Sequence, residues 1–117
     1  MKIVKENKHR SPAHRAYVAS LPCLIAGFWN ETNVDHHLLR AGGHSTGSKA
    51  CDSLTVPLQH FYHDRLHANG DEIAFFANHG WDYLRLLHEI KKINANSPVE
   101  RIRSATAIDD AIKFYSR

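Results

Sequence analysis

The stretch from Asp35 to His67, DHHLLRAGGHSTGSKACDSLTVPLQHFYHDRLH, constrains this chain more than any other, because it holds six of the ten histidines. His36 and His37 are adjacent between Val34 and Leu38-Leu39, a setting that suits a short strand whose neighbouring side chains point to opposite faces. His63 and His67 stand four apart in FYHDRLHA, a segment that reads as helix. That spacing stacks two side chains on one helical face, so both imidazoles can reach a single ion. Between the two pairs, Gly42, Gly43 and Gly47 give a loop able to bring strand and helix together, and Leu54-Thr55-Val56 reads as a second short strand.

A chain of 117 residues predicts one domain with a modest core. Net charge is +3 with histidines neutral and the isoelectric point is about 9.0, a mild bias toward a polyanionic partner. Two cysteines and no signal peptide point to a reducing compartment, expected to be the cytoplasm, and against a disulfide. The longest uncharged run, Ala16 to Asn30, is broken by Pro22 and Gly27 and falls short of the ~20 apolar residues of a membrane span, which excludes a membrane partner.

Residues 1–10 carry Lys2, Lys5, Lys8, His9 and Arg10 against Glu6, so they are expected to form a basic arm ahead of a single domain over 11–117. Within that domain the core should run over about 23–70, with further helices over 71–117. Ser11-Pro12 starts a helix through HRAYVASL that ends at Pro22, with Tyr17, Val18 and Leu21 as core contacts. An irregular turn follows from Cys23 to Asn33, in which Phe28 and Trp29 are expected to pack beneath the site and against Cys23 with Tyr62. Pro57 should end the second strand and Asn69-Gly70 the histidine helix. Asp71 opens another helix with an acid in its first turn, and Trp81 to Asn94 is amphipathic with Trp81, Leu84, Leu87 or His88, and Ile90 at helical spacing. Asn96-Ser97-Pro98 starts a short helix, and Ala105 to Tyr115 a last one with Ile108, Ala111, Ile112 and Tyr115 on one face. His9, His14, His79 and His88 are read as surface or packing residues.

PCLIAG, VDHHLLRAGG and VPLQHFYHDRLH, in that order, resemble the ββα-metal or HNH nucleases, and in detail the phage and prophage HNH proteins of the recombination-enhancement kind. The resemblance covers roughly Ser11 to Trp81. It implies an α+β fold with a ββα-metal core, a short antiparallel hairpin and several flanking α-helices. It also implies a metal-dependent endonuclease acting on DNA, in which His37 is the general base and His36, His63 and His67 hold a divalent ion (zinc, nickel, magnesium or manganese). A recombinase is a further candidate partner. Asp35, Asp52 and His60 are candidates for additional ligation or for orienting the loop, and Arg40, His44, Lys49 and Arg65 for phosphate contact. Phosphodiester hydrolysis asks for such a set, since it needs an activated water and a cation over the developing charge.

The sequence also departs from the family. Many relatives hold a structural zinc on two Cys-x-x-Cys knuckles; Cys23 occupies one such position, but Ala26, Gln59 and Tyr62 stand at the other three. No structural zinc of that type is expected, unless Cys23, Cys51, His44 or His60 rebuild a site. The middle asparagine of HNH is replaced by Leu54 or Thr55, with Asp52 as the substitute for pinning the loop. Two other functions stay open: a non-catalytic DNA-binding or recombination-accessory module, and a structural protein whose histidine-held metal has no open position.

Overall fold

A computed structural model describes residues 9–40 and 51–117. The described elements are α1 (Pro12–Ala19), β1 (Val34–His37), β2 (Thr55–Leu58), α2 (His60–Asn69), α3 (Glu72–Asn78), α4 (Tyr83–Ala95), α5 (Glu100–Arg103) and α6 (Ala107–Tyr115). The fold is therefore mixed α+β, with a two-stranded antiparallel sheet among helices. No helix among the described residues is long and apolar enough to cross a membrane.

Local chemistry explains most of the boundaries. Ser11 Oγ accepts the His14 N–H at the start of α1, and Pro12, which has no N–H to lose, sits in the first turn. Gly70 ends α2 at φ 79°, a left-handed conformation that a side chain would strain. Asp71 and Asp82 cap α3 and α4 by accepting the N–H groups of Ala74 and Arg85.

β1 and β2 pair in the register Val34↔Leu58, Asp35↔Pro57, His36↔Val56 and His37↔Thr55. Leu38 N–H to Leu54 C=O extends the ladder by one bond at 2.9 Å. Pro57 does not end β2; it lies inside it, opposite Asp35. A two-stranded sheet consists only of edges, where a residue lacking an N–H is tolerated, and the Pro57 carbonyl still accepts the Leu24 N–H at 3.1 Å.

All four β2 residues are buried, because α1 and α2 each pack against both strands. The core joins Leu38, Leu54, Val56 and Leu58 to Leu66, Phe76, Leu86, Leu87, Ile90 and Ile108. Full burial of such a side chain stabilises the fold by about 1.5–3 kcal/mol. In α4 the inward face is Tyr83, Leu86, Leu87, Ile90 and Ile93, so Leu86 rather than Leu84 fills the core and His88 faces solvent. Phe28 and Trp29 do not pack beneath the site: they are 58% and 52% exposed, and the Trp29 indole N–H reaches the Ala19 carbonyl. Cys23 is buried without them, its sulfur accepting the N–H groups of Ala26 and Gln59 at 3.4 Å, while Tyr62 stacks with Phe61 and His79.

Candidate metal centre

β1 presents His36 and His37 to opposite sides, as strand alternation requires. His36 turns inward and is 3% exposed, backed by the Phe76 ring. There it meets α2, which carries His63 and His67 one turn apart, and the His36 ring stands edge-on to both at centroid distances of 5.2 and 5.8 Å. Each of the three offers a ring nitrogen, and these nitrogens all lie within 4.8 Å of one another. Nε2 of His63 and Nε2 of His67 are 3.2 Å apart. Two ligands at the usual metal–imidazole distance of about 2.0–2.1 Å on a tetrahedral ion are separated by about 3.3–3.4 Å, so the His63–His67 pair has the spacing of two ligands on one cation, with a His36 nitrogen within 4.8 Å of both. Burial, then the neighbouring His36 and His67, push the His63 pKa down, which favours the neutral ring that a ligand must be.

His37 turns the other way. Its Nε2 lies 2.7 Å from Asp52 Oδ1, and it stands outside the three-histidine cluster. Asp52 is 4% exposed and also accepts the Ser11 N–H at 2.7 Å on Oδ2, with the Arg10 guanidinium 3.5 Å from Oδ1. Burial works to raise the Asp52 pKa, but the bonds from His37 and Ser11 and the charges of His37 and Arg10 outweigh it and hold the carboxyl below its usual range. Asp52 therefore ties the chain before α1 to the side chain of His37.

A carboxylate that the sequence did not single out completes the surroundings. Glu72, in the first turn of α3 and 5% exposed, has Oε1 at 3.2 Å from His36 Nε2 and 3.1 Å from the Leu39 N–H. Its Oε2 accepts the Arg40 N–H at 3.1 Å and the Tyr83 hydroxyl at 2.7 Å. Burial opposes ionisation here as well, yet the bonds from His36, Tyr83, Leu39 and Arg40 keep the Glu72 pKa below the ordinary value. The only sequence signal was an acid at a helix start, which Asp71 shows equally.

The remaining candidates are placed elsewhere. Asp35 does not join the cluster; its carboxylate binds the Arg15 guanidinium at 2.6 Å, because alternation sends it to the α1 side. His60 lies at the start of α2, exposed, and pairs with Asp64 at 3.0 Å. Arg65 stacks over Phe61 at 4.6 Å. Arg40 contributes its backbone, donating to Glu72 and accepting the Tyr115 hydroxyl. His44 and Lys49 lie outside the described residues. Of the other histidines, His14 packs, fully buried, with Nδ1 at 2.8 Å from Ser97 Oγ, and His79 stacks on Phe75.

A family model described as Protein of unknown function (DUF968) matches residues 1–95 of the chain. Neither the curated proteins nor the solved structures give a match.

Proposed function

The chain belongs to the DUF968 family, and from the placement of its histidines we propose that it is a metal-dependent HNH-type endonuclease that hydrolyses DNA phosphodiester bonds. The observation that carries this function is the convergence of one strand histidine, His36, on two helix histidines, His63 and His67, with His37 beside it on β1 and held by Asp52. The succession β1, β2, α2 in which they sit is the order of a ββα-metal core.

His36, His63 and His67 would hold the ion and leave coordination positions for substrate and water. A divalent cation there would stabilise negative charge on a phosphate by Lewis-acid polarisation. The chain's own contribution is proton transfer. With Nε2–H donated to the Asp52 carboxylate, His37 keeps its free lone pair on Nδ1, the nitrogen that takes a proton from the attacking water. One P–O bond forms to the water oxygen and the ester P–O bond breaks, its leaving oxygen taking a proton from solvent water, while Asp52 stabilises the imidazolium formed on His37. Net charge of +3 supports phosphate binding, so affinity should fall as salt rises.

The test is nicking of supercoiled plasmid by the parent and by His37→Ala across magnesium, manganese, zinc and nickel. The proposal expects metal-dependent nicking by the parent and a loss of about 10²–10⁴-fold in His37→Ala. DNA binding without cutting by the parent in any metal would replace it with the recombination-accessory module.

A further inference from the structure

The carboxylate of Glu72 has about four acceptor positions, two on each oxygen. All four are engaged: Oε1 by His36 Nε2 and the Leu39 N–H, Oε2 by the Arg40 N–H and the Tyr83 hydroxyl. No lone pair is left for a metal, and Glu72 is not in the group whose ligand atoms lie within 4.8 Å of one another. An ionised carboxylate only accepts, so the 3.2 Å contact requires the hydrogen to be on His36 Nε2. In the neutral ring, the form that binds a metal, the lone pair is then on Nδ1. Among the described residues no lysine or arginine forms an ion pair with Glu72, and its side chain is 4% exposed. Its charge is held by neutral donors, and positive charge delivered through the far side of the His36 ring would strengthen the bond from His36 Nε2 to the carboxylate.

Building on the metal centre proposed above, we infer that Glu72 is the positioning residue of that centre: it fixes His36 in the Nε2–H tautomer, so that His36 binds the ion through Nδ1 while His63 and His67 bind through Nε2. The same carboxylate holds the two residues that follow Leu38 and reaches α4 through Tyr83. The helices after α2, which carry none of the three histidines, thereby supply the outer support of the site. Such carboxylate–histidine–metal arrangements set the ring orientation and raise ligand basicity, and loss of the outer partner typically weakens metal affinity about 10–100-fold.

The experiment is long-range ¹H–¹⁵N correlation NMR on the ¹⁵N-labelled full chain loaded with Zn²⁺, alongside calorimetric Zn²⁺ titration of the parent and Glu72→Gln. Expected are a proton on Nε2 and zinc on Nδ1 of His36, zinc on Nε2 of His63 and His67, and an affinity about 10–100-fold lower in Glu72→Gln. Zinc on Nε2 of His36 overturns the assignment alone. So does a folded Glu72→Gln protein that binds zinc as the parent does. A parent that binds no zinc overturns the metal centre itself and this assignment with it. The tautomer is read on the unsubstituted chain, so the outcome does not depend on how well the variant folds.

Discussion

Replacing Asp52 by asparagine changes one oxygen into an NH₂ group with almost no change in volume, and the structure leaves that amide no good orientation. Oδ2 accepts the Ser11 N–H and Oδ1 accepts from His37 Nε2, both at 2.7 Å in a side chain that is 5% exposed. If the amide oxygen faces His37, its NH₂ opposes the buried Ser11 N–H, and an unsatisfied donor costs about 1–3 kcal/mol. For a chain of this length that corresponds to a fall in Tm of roughly 4–12 °C. If the amide turns round, Ser11 is satisfied, but the NH₂ now donates to His37 Nε2. The proton of His37 must then sit on Nδ1, which removes the lone pair assigned to the attacking water and about 10²–10⁴-fold of rate. Urea unfolding measures the first cost and plasmid nicking the second. An Asp52→Asn protein within about 0.5 kcal/mol of the parent in stability, and cutting DNA at the parental rate, would refute the reasoning.

Three further outcomes are expected. His63→Ala and His67→Ala should each weaken zinc binding in calorimetric titration while His37→Ala leaves it nearly unchanged, because His37 lies outside the cluster; equal losses in all three would contradict the division of roles. Phe76→Ala removes a fully buried ring that packs against His36, and should cost about 3–5 kcal/mol in chemical unfolding. Stability should also fall with pH in two stages. His9 and His14 have pKa values lowered mainly by burial, so the unfolded chain binds more protons and stability drops as pH falls below about 6.5. Asp52, lowered in the fold, contributes stability present above its unfolded pKa of about 3.9 and lost as pH falls further through its folded value. Thermal melts that rise in Tm between neutral pH and pH of about 5 would contradict the first stage.

What the residues determined by themselves was local. Ser11-Pro12, Asp71 and Gly70 marked helix ends, because caps and left-handed turns are decided within one turn of chain. The i, i+4 spacing of His63 and His67 fixed their shared face for the same reason. Strand alternation required His36 and His37 to part, but which of them turned toward α2 depended on the register with β2 and on what covered each face. The same holds for Pro57, admitted into β2 because among the described residues β2 has a single partner strand, and for Phe28 and Trp29, apolar side chains that the folded surface leaves exposed. Leu86 displaced Leu84 from the core because the apolar face of α4 was set by what α4 packs on, α3, α5 and α6. Glu72 is the clearest case: it meets His36 across 36 positions of sequence and Tyr83 across 11. No capping or periodicity rule acts over such a span; only the packing of α3 and α4 on the sheet buries that carboxylate, and burial is what obliges it to find four donors.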